Sequence, residues 1–200
     1  VKVEPTSKDI GTGYIKESWS KTEIVPEMGN VEVSHKGEGP AWGALYYQYF
    51  EEMDKIEAGD GSLNVSKELF VEINDGNSKK LVQITEENPL RVGDKVVVRL
   101  VVRTDRDMEF VHLKDMRASA FEPVDQISKV DWMNGAIYYQ TSRDASTNYY
   151  FDNLPRGTYV FEYAVYVTRS GSYSNGITTI QSMYAPEFVS HTSGVRINVK

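Results

Sequence analysis

Three histidines, His35, His112 and His191, are the side chains of this 200-residue sequence best suited to metal ligation or proton transfer. They stand far apart, without the close spacing of paired zinc ligands, so no metal site is expected. Alternation in Val111-His112-Leu113 puts His112 on the face opposite its apolar neighbours, where it is expected to be exposed. Asp105-Arg106-Asp107 and Arg143-Asp144 lie in polar segments and read as solvated ion pairs rather than a carboxylate dyad. Gly11-Thr12-Gly13 lacks both the further glycine of a dinucleotide fingerprint and the Gly-Lys-Ser/Thr of a phosphate loop. No Gly-x-Ser-x-Gly elbow occurs. The sequence contains no cysteine, which removes thiolate catalysis, disulfides and Cys-ligated metals. Asn64-Val65-Ser66 is a glycosylation sequon, meaningful only in a eukaryotic secretory context. Tyr46, Tyr47, Tyr49 and Phe50 are able to stack on sugar rings, but strand packing accounts for them more simply. No catalytic, cofactor-binding or metal site is assembled, and the chain is read as non-enzymatic.

The elements that would position any such side chain read as strands. In Thr158–Thr168 the odd positions Tyr159, Phe161, Tyr163, Val165 and Val167 are all apolar or aromatic, which predicts one buried face. Leu69, Val71 and Ile73 alternate with Glu68 and Glu72, and Val31 and Val33 with Glu32 and Ser34. "KVVVRLVVR", Lys95–Arg103, predicts a central strand covered on both sides. Further strands are expected at Phe110–Lys114, Ala136–Thr141, Ile177–Tyr184 and Val195–Val199. Turn residues separate them at Asn74-Asp75-Gly76-Asn77, Val92-Gly93-Asp94, Ser170-Gly171-Ser172 and Ser174-Asn175-Gly176. No sustained helical period appears. The fold class is all-β, an antiparallel sandwich.

Leu154-Pro155-Arg156-Gly157-Thr158-Tyr159 carries the elements of a tyrosine corner. Pro155 presets φ, Gly157 is able to take a positive φ, and Tyr159 buries its ring while its hydroxyl returns to upstream backbone. That role is structural.

"EAGDGS", Glu57–Ser62, is the expected boundary: an exposed, protease-sensitive joint between residues 1–58 and a sandwich over 59–200. A net charge of -7 speaks against a nucleic-acid or anionic-membrane surface. No apolar run reaches the length of a membrane span. The Val1-Lys2-Val3 start, with neither initiator Met nor signal peptide, suggests a piece of a longer protein with any targeting signal outside it.

"RVGDKVVVRLVVRTDRDMEFVHLKDMRASAFEPVDQIS" (Arg91–Ser128), "YYQTSRDASTNYYFDNLPRGTYVFEYAVYVTRSGSYSNGITTIQSMYAPEF" (Tyr138–Phe188) and the closing "GVRINVK" together resemble the C-terminal macroglobulin-type domain of bacterial alpha-2-macroglobulins. Their ordered motifs, from Val-Gly-Asp to Met-Tyr-Ala-Pro-Glu-Phe, are specific as a set. The resemblance covers residues 63–200. "SWSKTEIVPEMGNVEVSHKGEGPAWGALYYQYFEEM" is similar to the segment before that domain, so residues 1–58 are expected to be the C-terminal part of a smaller, β-rich, CUB-like domain. What the resemblance implies is a protease-trapping inhibitor of the bacterial envelope, periplasmic or lipid-anchored. Its partners would be neighbouring domains of the parent chain and target proteases. The Cys–Gln thioester of such proteins has no counterpart here, since no Cys is present, and no functional residue is carried over. Two other classes remain open. A carbohydrate- or protein-binding sandwich would present a flat patch of Trp42, Tyr46 and Trp132, and a sandwich hydrolase would need a pocket with paired carboxylates or a His-backed nucleophile.

Overall fold

The computed structural model describes residues 13–59, 61–76, 78–85 and 88–200. The Val1-Lys2-Val3 start, Gly11, Thr12, Asp60 and Asn77 therefore lie outside the described residues. Backbone contacts divide the chain into two units, Val1–Gln48 and Tyr49–Lys200.

The described part of the first unit holds two 3-10 turns, Lys21–Glu23 and Pro26–Gly29, and no strand. Val31 and Val33 alternate as a strand would, yet they sit exposed in irregular backbone. An extended segment needs a ladder partner, and the described residues of this unit provide none.

The second unit is an antiparallel sandwich. Its strands are β1 (Leu63–Asp75), β2 (Ser78–Gln83), β3 (Lys95–Thr104), β4 (Met108–Met116), β5 (Phe121–Pro123), β6 (Lys129–Met133) and β7 (Ala136–Arg143). They continue with β8 (Ser146–Leu154), β9 (Gly157–Val167), β10 (Gly171–Ser174), β11 (Thr178–Ser182), β12 (Val189–His191) and β13 (Arg196–Val199). One sheet runs β2-β1-β3-β9-β5 and the other β12-β11-β4-β8-β7-β6, with β10-β13 as a separate pair. Every named pairing is antiparallel, and Leu90 adds one parallel bridge to Val199.

The core follows from period-two patterning. Leu63, Val65, Leu69 and Val71 of β1, the even positions Val96 to Val102 of β3, and Tyr159, Phe161, Val165 and Val167 of β9 point inward from one sheet. Val111 and Leu113 of β4, Tyr149 and Phe151 of β8, Tyr138 of β7 and Ile180 of β11 meet them from the other. Phe161 is central, its ring centroid 5.1 to 6.4 Å from those of Tyr138, Tyr149, Phe151 and Tyr159. β3 is central in its sheet, but only its even positions are fully buried. Val97, Arg99 and Val101 are half-buried and Arg103 is exposed, so the expectation of cover on both sides is corrected.

The corner at Tyr159 forms as its residues predict. Its hydroxyl donates to the Pro155 carbonyl at 2.6 Å and its ring is buried. Gly157 departs from expectation: it opens β9 opposite Thr104 and has no positive φ, because the ladder holds it extended.

Gly59, within the expected boundary at Glu57–Ser62, and the residues just before it are hydrogen-bonded to the sandwich. Gly59 N–H donates to His191 O at 2.9 Å, Ser190 Oγ to Gly59 O at 2.8 Å, and Gly194 N–H to Ile56 O at 2.9 Å. Arg196 adds an ion pair to Asp54 at 3.0 Å. Gly194 permits this approach, since a Cβ there would lie 1.8 Å from the Met53 carbonyl oxygen.

Candidate functional site

His35 belongs to the first unit, His191 to β12 and His112 to β4. Among the described residues no group of three or more His, Asp or Glu is arranged to hold a metal ion. His112 faces away from Val111 and Leu113 as expected, but it is half-buried. Its ring stacks on Tyr150 at 4.6 Å and 2°, and its Nε2 lies 3.1 Å from Asn148 Oδ1. Arg106 pairs with Asp105 at 2.8 Å in the open, and Asp107 Oδ1 accepts the Arg156 N–H at 2.7 Å. Both contacts shape loops. The Arg143-Asp144 turn is gripped by a buried side chain not singled out in the sequence, Arg117. Its guanidinium donates to the carbonyls of Asp144 at 3.3 Å and Ser146 at 3.2 Å, to that of Arg143, and to Thr147 Oγ1 at 2.9 Å.

The largest concentration of polar chemistry lies inside the sandwich. Lys67 of β1 and Asp115 of β4 face each other across the two sheets, with Nζ 2.7 Å from Oδ1 and side chains 3% and 0% exposed. Lys67 Nζ also donates to Met116 O at 2.8 Å. Thr178 Oγ1 donates to Asp115 Oδ1 at 2.6 Å, and the Tyr163 hydroxyl donates to Oδ2. Burial, followed by the nearby Asp115 charge, pushes the Tyr163 phenol well above its ordinary range. The same causes raise Tyr149, whose buried hydroxyl has no hydrogen-bond partner. Sequence reasoning missed this cluster, although a signal was present. Lys67 occupies an inward position in Leu63-Val65-Lys67-Leu69-Val71, and Asp115 does so in Val111-Leu113-Asp115. Opposite charges at core positions of two strands predict a buried pair.

A second feature is a surface. On the outer face of the six-stranded sheet, ladder partners align Val130, Tyr139, Tyr150, His112, Gln181 and Val189 in one row across all six strands. Trp132 and Ile137 are partners in the adjoining part of β6 and β7 and are 73% and 66% exposed. Trp42 and Tyr46, which a carbohydrate-binding sandwich would set in one patch with Trp132, belong to the first unit. Elsewhere, an open groove of about 640 Å³ is lined by residues including Arg99, Glu162, Lys129 and Asp131. Arg99 is already paired with Glu162 at 2.6 Å and Lys129 with Asp131 at 3.3 Å, and the lining holds no histidine or serine.

Comparison with known proteins bears on this architecture. A Dictyostelium discoideum protein, "Circularly permutated Ras protein 2", is 25% identical over 98% of this chain, which spans 5% of that protein. Native Escherichia coli alpha-2-macroglobulin, solved from domain MG7 to the C-terminus, superposes with a TM-score of 0.57 at 16% identity, over 72% of this chain and 24% of that one. The E. coli protein activated by porcine elastase gives 0.56 at 14% identity, over 72% and 14%. The chain thus spans a quarter or less of these relatives. The bacterial alpha-2-macroglobulin MG10 domain profile matches residues 63–187, from the first residue of β1 to just short of β12. This chain therefore belongs to the bacterial alpha-2-macroglobulin family, its sandwich being the MG10 domain.

Proposed function

We propose that the chain is a non-catalytic, architectural part of a protease-trapping, alpha-2-macroglobulin-like protein exported to the bacterial envelope. The observation that carries this is the pairing of an MG10 match with an exposed apolar sheet face. A contiguous stretch of Val130, Trp132, Ile137 and Tyr139 in water is a feature of interaction surfaces rather than of finished exteriors. In the parent protein this face packs on a neighbouring domain and holds the geometry of the trap. The E. coli relative is one that elastase activates, which supports a protease as the target of the parent. Residues 1–58 are, on this reading, the C-terminal part of a CUB-like domain, whose remaining strands cover Trp42, Tyr46 and Tyr47.

The outer face also favours a second reading. Trp132, exposed on the same sheet face as the mutually stacked His112 and Tyr150, is a ring able to stack on a sugar, as in an envelope carbohydrate-binding module.

The test is protease capture by the full-length parent. Trp132→Asp should abolish capture while leaving the sandwich folded, since the residue lies outside the core. Wild-type capture by this variant, with oligosaccharide binding that Trp132→Asp removes, would favour the second reading and overturn the first.

A further inference from the structure

We propose that Lys67 and Asp115 join in an intramolecular isopeptide bond that ties the two sheets of the sandwich together. The reacting groups are already in place: Nζ lies 2.7 Å from Oδ1, with both side chains shut off from solvent. The two residues are 48 positions apart, on strands of facing sheets, and the chain has no cysteine with which to cross-link those sheets otherwise. Restraining nucleophile and carbonyl in one geometry replaces an encounter with an intramolecular step.

The step balances without any co-reactant. Nζ attacks Cγ of Asp115, the N–C bond forms and the C–Oδ1 bond breaks. The lysine ammonium gives up two protons, Oδ1 takes both and leaves as water, and nothing is oxidised or reduced. The Tyr163 hydroxyl, donating to Oδ2, stabilises the negative charge that develops there, as an oxyanion hole does. The Thr178 hydroxyl, 2.6 Å from Oδ1, supports the departing oxygen. Tyr149, buried nearby with an unpartnered hydroxyl, supplies a polar contact for the released water. The product removes two buried charges whose desolvation opposes folding.

Mass spectrometry of the purified, denatured chain decides the matter. The wild-type chain is expected to be one water lighter than its sequence mass, and a protease digest should yield one branched peptide joining residues 67 and 115. Asp115→Asn should lose one ammonia instead, and Lys67→Met should keep its full mass. Tyr163→Phe should lower the cross-linked fraction several-fold at a fixed time after synthesis. A wild-type chain at full sequence mass leaves only a buried ion pair and overturns the proposal. So does a water loss that persists in Lys67→Met, which would place the dehydration elsewhere. The wild-type measurement needs no variant to fold.

Discussion

Tyr159 shows how one hydroxyl organises a turn. Its ring fills the space beside Phe161 while its O–H answers the Pro155 carbonyl, a group the turn would otherwise leave without a partner. Tyr159→Phe keeps the ring and orphans that carbonyl, so denaturant melts should show a loss of about 1–3 kcal/mol. Tyr159→Ala also opens a cavity and should cost roughly 3–5 kcal/mol. Gly157→Ala behaves otherwise. Its backbone is extended and an added Cβ would meet Tyr159 at an ordinary 3.6 Å, so the change should stay below about 1 kcal/mol. The corner was legible in the sequence because Pro, Gly and Tyr stand at fixed offsets. The glycine's conformation was not, because ladder pairing with Thr104 decided it.

Among the elements, strands with one greasy and one wet face announced themselves, as β9 and β1 did. Others broke the rule for physical reasons. In β8, Ser146, Thr147, Asn148 and Tyr149 are all buried, since Arg117 and Asn148 draw polar groups inward and erase the alternation. In β6 the apolar residues Val130 and Trp132 face outward, inverting the usual pattern. The hairpin that follows it, Asn134-Gly135 with φ of 49° and 85°, carries the turn signal that the inverted strand obscured. The buried Lys67–Asp115 pair escaped notice because its halves lie on different strands. The sandwich also carries ion pairs on half-buried carboxylates, with a definite pH signature. The Arg196 hydrogen bond lowers the Asp54 carboxyl, and the Lys79 bond, then the Lys95 bond, lowers Glu72. A carboxyl depressed on folding binds fewer protons folded than unfolded, so its stabilisation is present above the ordinary carboxyl range and lost as pH falls through the folded value. Urea midpoints should therefore be level near neutrality and fall below about pH 4. Arg196→Gln should flatten part of that fall, and an unchanged acid profile would count against the Asp54 staple.

For the whole molecule, the family was legible because its motifs follow one another in order across β3 to β11. Gly59, in the small, polar boundary segment expected at Glu57–Ser62, bonds to His191, and Gly194 lets the Met53 backbone approach. The sandwich leaves one sheet face apolar and open, and the architectural reading requires a neighbouring domain to cover it. Hydroxyl-radical footprinting of Trp132 measures that cover directly, comparing the 200-residue chain with the full-length parent. Strong protection of Trp132 in the parent, against ready oxidation in the isolated chain, is the predicted result. Equal oxidation in both would contradict the account.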